Sequence, residues 1–254
     1  MGRGNPSHRR VRGDEDSSVK PDPKVQLRNV NLAYHTLEGE TVALRNVSFS
    51  VDQQEFVCIV GPSGCGKSTI LSLISGLLRP SSGEVLVDGQ PVEGVSSKIG
   101  YMLQQDYLFE WRTILDNALL GLEVRGQHRN PEVVERVSQL LKKYGLGGFE
   151  KYYPSQLSGG MRQRVALIRT LAVAPDILLL DEPFSALDYQ TRLSLEEEIG
   201  TILREEAKTV ILVTHDISEA ISMGDRVIVM TRRPGTVKAD HSIVLENEHA
   251  SPLQ

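Results

Sequence analysis

Hydrophobic and polar residues alternate along two stretches near the start of the chain, VQLRNVNLAY at 25–34 and TVALRNVSFSV at 41–51. Alternation with a period of two predicts strands with one buried face, and Gly39 lies between the two stretches as a turn residue. Three other stretches, at 55–61, 176–183 and 209–216, contain nearly continuous apolar runs, which predict strands buried on both faces. Shorter runs predict two further strands at 83–89 and 226–232.

Other parts of the chain have the periodicity of helices. We predict one helix over 67–78, directly after a glycine-rich loop, and another over 189–207. The pattern is helical from about 103 to 172, where one helix over 112–126 has Thr113 as its N-cap and a second runs from Pro131 to Gly145. Because strands alternate with helices on either side of this region, we predict a mostly parallel α/β sheet with an inserted helical lobe.

Composition narrows the functional class. The chain has 254 residues, of which 40% are hydrophobic and 24% charged, and its net charge is −5. This charge argues against a nucleic-acid binder that depends on overall positive charge, and no apolar run approaches the ~18–20 residues of a membrane span. The first 22 residues lack the apolar segment of a signal peptide, so a disordered tail is expected. A disulfide would distort the loop around Cys65, so Cys58 and Cys65 are expected as free thiols in a reducing cytosol.

The glycine-rich loop carries the strongest chemical signal. GPSGCGKST at 61–69 matches G-x-x-x-x-G-K-[ST] between a predicted buried strand and a predicted helix, which is the context of a phosphate-binding loop. Lys67 would reach the β- and γ-phosphates, and the Ser68 hydroxyl would bind Mg²⁺. The residues expected to bind nucleotide in this loop are Gly61, Pro62, Ser63, Gly64, Cys65, Gly66, Lys67, Ser68 and Thr69.

Two later strands end in residues suited to phosphate chemistry. ILLLDEP places Asp181 and Glu182 at the carboxyl edge of the predicted sheet, where ligands of α/β proteins gather. We expect Asp181 to hold Mg²⁺ and Glu182 to act as general base on a water near the γ-phosphate. A lone histidine is usually structural, but His215 ends a strand of the same sheet, which favours a γ-phosphate contact.

With these motifs in place, the chain resembles the ATP-binding subunit of an ABC transporter over about residues 25–240. LSGGMRQR at 157–164 is similar to the family's signature motif, and SALD at 185–188 is similar to its D-loop, which implies a subunit contact for Asp188. Gln104 resembles the Q-loop glutamine that touches Mg²⁺ and links to the membrane partner; Gln105 is the alternative. Tyr34 resembles the A-loop aromatic residue that stacks on adenine, and its alternative role is that of a sheet tyrosine.

The resemblance implies a fold and an activity. The fold would be α/β, with a P-loop NTPase (RecA-like) core over 23–102 and 172–240 built on a mostly parallel sheet. An antiparallel β subdomain and an inserted α-helical subdomain over 103–171 would complete the domain, with tails at 1–22 and 241–254. ATP and Mg²⁺ would be the ligands, and the activity would be ATP hydrolysis coupled to transmembrane transport.

The resemblance also implies an assembly. Two copies would pack head to tail, so that Ser158, the Gly159–Gly160 backbone and Gln163 of one copy contact the ATP held by the other. Two transmembrane permease subunits would be direct partners and an extracytoplasmic solute-binding protein an indirect one. The chain is therefore expected as a peripheral subunit at the cytoplasmic face of the cell membrane.

A narrower resemblance suggests the transport class. QQDYLFEWRTILDNALLGLE and TRRPGTVKAD are similar to segments of nitrate, sulfonate and taurine importers, although Glu110 stands where proline is usual in that group. Leu108, Phe109 and Trp111 are expected either to line a groove for the permease or to pack in the core.

Three other readings remain open from the sequence. A soluble ABC-type ATPase acting on DNA or ribosomes would need a long coiled coil or a second such domain, and the sequence has neither. A nucleotide sensor without hydrolysis would lack the general base, yet Glu182 is present. An exporter subunit is often fused to membrane helices, and the Q-loop and RPG segments favour import instead.

Overall fold

The computed structural model describes residues 22–37, 39–185 and 187–244. The expected N-terminal tail, 1–22, lies outside the described residues except for Asp22, and so does the part of the expected C-terminal tail from 245 to 254.

Four antiparallel strands form the first sheet, in the order β2-β1-β4-β5. The register of β1 and β2 runs from Val25↔Val51 to Thr36↔Gly39, which confirms the two strands predicted from the alternating pattern. Gly39, predicted as the turn residue, is instead the first residue of β2. One face of this hairpin is buried, because Leu27 and Val47 are among the residues that pack in a core below it. The strands are β1 Val25–Thr36, β2 Gly39–Val51, β4 Ser82–Val87 and β5 Gln90–Pro91.

Six strands form the second sheet, in the order β10-β9-β3-β8-β7-β6. Its strands are parallel except β10, which runs antiparallel to β9. Every residue of β3, β7 and β8 is buried, as their continuous apolar runs predicted. The strands are β3 Phe56–Val60, β6 Ile99–Met102, β7 Ile177–Asp181, β8 Thr209–Thr214, β9 Arg226–Met230 and β10 Val237–Ser242.

Most helices begin at side chains that accept a hydrogen bond from the first turn. Thr113, Asn130, Ser158, Asp188 and Asp216 are such N-cap residues, and they satisfy amide groups that have no partner within the helix. The helices are α1 Lys67–Ile74, α2 Ile114–Ala118, α3 Leu120–Val124, α4 Pro131–Lys143, α5 Gly159–Ala172, α6 Tyr189–Glu205 and α7 Ile217–Met223.

Several predicted elements differ from the structure. The helix predicted over 112–126 is two short helices that meet at Leu119. The first helix ends at Ile74 rather than at residue 78. Gly76, two residues after this end, has a φ of 78°. Strands β5, β6 and β10 and helix α7 were not predicted, because they are short or, as in β10, mostly polar. Strand β10 reaches Ser242, inside the segment expected as a tail.

Two cores flank the parallel sheet. Alternate residues of each strand point to opposite faces, so Cys58 and Leu212 pack with the helices of the inserted lobe. Their neighbours Ile59 and Val213 pack with α1 and the antiparallel sheet. The sheet is therefore fixed from both sides, and the carboxyl ends of β3, β7 and β8 lie along one edge.

Candidate active site

The phosphate-binding loop connects the end of β3 to the start of α1. Gly66 is the N-cap of α1 with a φ of 102°, a left-handed conformation that glycine adopts without strain. A Cβ at Gly66 would lie 2.6 Å from Leu44 Cδ2, so the antiparallel sheet packs directly behind the loop. Lys67 is buried, and its Nζ donates to Gly61 O at 2.9 Å, which holds the ammonium group across the loop.

The other residues of the phosphate-binding loop differ in their exposure. Pro62, Ser63 and Gly64 are exposed, whereas Cys65 is buried. Cys58 and Cys65 are both free, as predicted, and burial raises the pKa of each thiol. Both groups are therefore neutral packing residues at physiological pH rather than nucleophiles.

Asp181 is the last residue of β7 and faces the phosphate loop. Its Oδ1 accepts a hydrogen bond from Ser68 Oγ at 3.0 Å, and its Oδ2 accepts one from Tyr101 OH at 3.3 Å. Burial raises the pKa of this carboxyl group, against the opposing effect of the Ser68 hydrogen bond. Neighbouring serine and aspartate oxygens are suitable ligands for Mg²⁺. This ion binds only a few protein groups, and its other ligands are phosphate and water oxygens.

Glu182 lies at the centre of the predicted site. Its Oε2 accepts a hydrogen bond from Gln104 Nε2 at 3.3 Å and lies 3.2 Å from His215 Nδ1. Its Oε1 lies 3.8 Å from Lys67 Nζ. Three residues that are far apart in the sequence therefore meet at one carboxylate, and Gln104 rather than Gln105 makes this contact.

The backbone of Glu182 has a φ of 45°. This left-handed conformation costs a non-glycine residue on the order of 1 kcal/mol and persists only where the surroundings fix it. Its amide donates to Val213 O at 2.8 Å, and its carbonyl accepts from Ser185 Oγ at 3.0 Å. The chain is therefore turned sharply after β7, and the Glu182 side chain is directed to the edge of the sheet.

Tyr34 lies on β1, at the side of the phosphate loop. Its hydroxyl is 3.2 Å from Thr69 Oγ1, and the residue is 41% exposed. The contact places an exposed aromatic ring next to the first turn of α1, where a nucleotide base could stack on it.

The predicted signature motif forms the start of α5. Ser158 is its N-cap and accepts from Met161 N at 3.3 Å, and both Ser158 and Gly159 are exposed. Gly160 is buried against α6, where a Cβ would lie 2.9 Å from Thr191 Cγ2. The exposed helix start can bind an anion through its free N–H groups, while Gly160 is required for close packing of two helices.

Gln163 and Asp188 have different surroundings. Gln163 is 3% exposed, and its Oε1 has no hydrogen-bond partner among the described residues. Its buried position does not favour the predicted contact with nucleotide, which stays untested. Asp188 is exposed and caps α6 through Thr191 N at 3.1 Å, and hydrogen bonds from Thr191 lower the pKa of its carboxyl group.

Comparison with known proteins agrees with this geometry. The family model described as ABC transporter matches residues 44–185. This chain belongs to the ABC transporter family. It is an ATPase of that family, with the P-loop NTPase fold that its sequence predicted.

Relatives of this ABC ATPase include transport proteins of several names. The ABC transporter ATP-binding protein YtlC of Bacillus subtilis is 49% identical, covering 84% of this chain and 82% of the relative. The nitrate import ATP-binding protein NrtD of Synechocystis is 40% identical over 90% of this chain and 85% of its own length. The taurine import ATP-binding protein TauB of Pelagibacter ubique is 40% identical, with 85% and 82% covered.

The ABC transporter cassette MJ0796 is similar in structure. Its dimeric form aligns with a TM-score of 0.75 and 36% identity, covering 87% of this chain and 99% of the cassette. A second structure of the same cassette is a post-hydrolysis state bound to ADP and Pi.

Sequence reasoning missed Tyr101 as a site residue of the ABC ATPase. It lies on β6, beside β7, and its hydroxyl reaches Asp181. Burial raises its pKa to about 12, so the hydroxyl remains a donor throughout the physiological range. No motif marks Tyr101, because β6 is short and the contact depends on the pairing of two strands.

The surface expected to receive the permease is only partly as predicted. Trp111 is 74% exposed and stacks on Phe109 with ring centroids 4.9 Å apart. Leu108 is 6% exposed and packs in the core of the helical lobe, which is the second of the two positions expected for it. Tyr107, by contrast, is 58% exposed beside it.

Over residues 22–37, 39–185 and 187–244, no helix has both the length and the apolar character to cross a bilayer.

Proposed function

We propose that this chain is the ATP-hydrolysing subunit of an ABC importer, which energises uptake of a small anionic solute such as nitrate, a sulfonate or taurine. The observation that carries the proposal is the convergence of Lys67, Gln104 and His215 on the Glu182 carboxylate. Gln104 and His215 lie at hydrogen-bond distance from this carboxylate and Lys67 at ion-pair distance, so a base here would lie among groups that would surround the γ-phosphate.

The residues of one chain would have distinct roles. The loop from Gly61 to Thr69 would hold the phosphates through its N–H groups, with Lys67 at the β- and γ-phosphates. Tyr34 would stack on adenine. Glu182 would take the proton of the attacking water, and His215, at 3.2 Å, would orient that carboxylate and contact the γ-phosphate.

Ser68, Asp181 and Gln104 would hold Mg²⁺ together with phosphate oxygens. The fit rests on their oxygen donors and on the 3.0 Å contact between Ser68 Oγ and Asp181 Oδ1, which brings two of these donors together. When bound, Mg²⁺ neutralises negative charge that develops on the β- and γ-phosphates. In this chain Asp181 is held in place for that role by Tyr101.

The complete site would require two copies of the chain. Ser158 and Gly159 at the exposed start of α5 would bind the γ-phosphate of ATP held by the partner copy, and Asp188 would lie at the subunit contact. The dimeric form of the similar cassette MJ0796 supports this arrangement. ATP binding would close the dimer, and hydrolysis would let it reopen.

The exposed aromatic surface supports contact with membrane partners. Tyr107 and Trp111 would contact a cytoplasmic helix of each of two permease subunits, and a solute-binding protein outside the membrane would deliver the solute to them. The chain would therefore act at the cytoplasmic face of the membrane. The relatives named for nitrate and taurine import support the direction and the solute class.

Complementation between two inactive variants tests the shared site. Lys67→Ala damages the phosphate loop and Ser158→Arg damages the signature helix, so each homodimer should lack activity. A mixed dimer contains one site in which both parts are intact, and partial ATPase activity should return on mixing. The matched control mixes Lys67→Ala with Ser68→Ala, which damage the same part and should not restore activity. If both variants fold and associate with each other, but the first mixture regains no ATPase activity, the two-copy site would be overturned.

Uptake measurements test the transport class. Cells that lack this chain should lose uptake of nitrate, taurine or an alkanesulfonate, and the wild-type chain should restore it while Glu182→Gln should not. Unchanged uptake of all three solutes would remove the proposed solute class without affecting the ATPase site.

A further inference from the structure

Arg162 of α5 holds two carboxylates of the loop that follows β6. Its Nε lies 2.8 Å from Asp106 Oδ2 and its Nη2 lies 3.0 Å from Asp106 Oδ1, which is a bidentate pair. Its Nη1 lies 2.7 Å from Glu110 Oε1. Paired, charge-assisted hydrogen bonds of this kind fix orientation as well as distance. Glu110 is the residue that stands where proline is usual in the nitrate, sulfonate and taurine group.

Arg169, two helical turns later on α5, holds the same loop through its backbone. Its Nη1 donates to Tyr107 O at 2.9 Å, and its Nη2 donates to Asp106 O. Residues seven apart lie on one face of a helix, so Arg162 and Arg169 hold the loop against a single face of α5. We call residues 106–110 the clasped loop.

The charges of this contact are partly buried and mutually stabilised. Burial alone would raise the pKa of Asp106, but hydrogen bonds from Arg162 and from the Leu108 amide outweigh it, and the pKa is lowered. The same ion pairs raise the pKa of Arg162. The pair of Arg162 and Asp106 therefore remains charged throughout the physiological range, which suits a permanent link.

The clasped loop joins two functional surfaces. Ser158, at the start of α5, is one helical turn from Arg162. Trp111 follows Glu110 directly and is stacked on Phe109. The contact between Arg162 and Glu110 is thus a direct link between the exposed aromatic surface and the helix start that would bind nucleotide.

We propose that Arg162 is a positioning residue that makes the clasped loop and the first turn of α5 move as one body. Closure of Ser158 on a nucleotide then displaces Trp111, and displacement of Trp111 moves Ser158, since coupling between two sites is reciprocal. This inference rests on the proposed function, because the closure it describes is that of the ATP-bound dimer.

Trp111 is the only tryptophan of the chain, so its fluorescence reports on one end of the link. The experiment uses Glu182→Gln, which should hold the ATP-bound dimer, and records Trp111 emission and acrylamide quenching with and without MgATP. We expect the emission and quenching of Trp111 to change on addition of MgATP when the contacts between Arg162 and the clasped loop are intact. Glu110→Gln and Arg162→Gln, each added to Glu182→Gln, should reduce that change to half or less.

Two further variants separate positioning from general damage. Glu205→Gln also removes an ion pair of an exposed glutamate, that with Lys143 at 3.3 Å, and should leave the Trp111 change intact. Arg162→Lys keeps the charge but loses the bidentate geometry, and should give an intermediate change. If Arg162 acts on Trp111 through Glu110, combining Glu110→Gln with Arg162→Gln should add little to the larger single effect.

Light scattering in the same samples distinguishes the two levels of failure. Absence of an ATP-dependent dimer with the intact clasp would contradict the proposed function. A dimer that forms without a change at Trp111, or with the same change in Glu110→Gln and Arg162→Gln, would overturn the coupling. Hydrogen exchange of residues 106–112 should be faster in both clasp variants, and unchanged exchange in folded variants would count against the clasp.

Discussion

His215 Nδ1 lies 3.2 Å from Glu182 Oε2, although the two residues follow directly after different strands of the sheet. The contact exists because β7 and β8 are neighbouring parallel strands whose carboxyl ends lie side by side. The left-handed backbone of Glu182 then directs its side chain towards the end of β8. The position of the Glu182 carboxylate, the proposed general base, is therefore a consequence of strand order and of one strained residue.

Glu182→Gln should lower the rate of ATP hydrolysis by at least about 100-fold, because general-base catalysis contributes roughly 10²–10⁴-fold. The amide keeps the shape and the hydrogen bonds of the site but cannot accept the proton of water. Phosphate release measures the rate, and light scattering should show an ATP-bound dimer that accumulates. Glu197→Gln, an exposed residue of α6, is the matched control and should hydrolyse ATP normally. A Glu182→Gln rate within twofold of wild type would exclude the role of general base.

Tyr34→Ala should weaken ATP binding by about 10-fold, since stacking of an aromatic side chain on a base is worth ~1–3 kcal/mol. Tyr34→Phe retains the ring and loses only the contact with Thr69 Oγ1, so its affinity should stay close to wild type. Titration calorimetry measures both. Inorganic tripolyphosphate has no base, and its binding should be the same in all three proteins; a loss there in Tyr34→Ala would indicate damage to the phosphate loop instead.

Most of the predicted site residues occur in contiguous motifs at the ends of strongly apolar strands, which is why the sequence alone suggests them. The phosphate loop, Asp181 and Glu182 needed no knowledge of distant pairing. Tyr101 and Gln163 did, since the role of the first depends on β6 lying beside β7 and the burial of the second depends on how α5 packs.

The contact between Arg162 and the clasped loop could not be predicted from the sequence for the same reason. Arg162 contacts Asp106 and Glu110 across separations of 56 and 52 residues. Each of these charges alone resembles an ordinary surface residue. Only the folded arrangement of α5 against the loop brings them together, and the same packing places Leu108 in the core, a choice that the sequence left open.

Glu219 should make stability depend on pH. The residue is buried at the start of α7, and its pKa is raised to about 8 by burial, against the hydrogen bond from Thr214, with Glu196 and Asp216 adding negative charge and Arg192 opposing them. An acid with a raised folded pKa favours the folded state at low pH. That advantage is lost as pH rises from the ordinary carboxyl pKa through about 8.

Glu219→Gln removes this ionisation while the amide can still accept from Thr214 Oγ1, at 2.8 Å in the wild type. The variant should therefore be more stable than wild type at pH 8, by a few degrees in Tm, with a smaller difference or a reversed one at pH 5. Thermal unfolding at both pH values measures this. Glu197→Gln provides the exposed carboxylate control. A difference from wild type that is equal at pH 5 and pH 8 would show that Glu219 does not titrate in this way.

Asn117 is a buried polar residue whose side chain holds the loop before α2. Its Oδ1 accepts from Phe109 N at 2.8 Å, and its Nδ2 donates to Phe109 O at 3.1 Å and to Thr113 O at 3.0 Å. Truncation to alanine would leave Phe109 N without its partner, whereas Phe109 O and Thr113 O would each keep a backbone donor, Arg112 N at 3.0 Å and Asn117 N at 2.9 Å.

Asn117→Ala should therefore reduce the free energy of unfolding by about 2 kcal/mol, since one unsatisfied buried donor costs ~1–3 kcal/mol. Urea unfolding measures the loss. Asn130→Ala is the matched control, since Asn130 only caps α4 through Glu132 N at 3.0 Å and should cost about 1 kcal/mol. Asn117→Ala should also change the emission of Trp111, because the loop that carries the indole is no longer held at Phe109. An equal loss in the two variants would mean that Asn117 does not organise this loop.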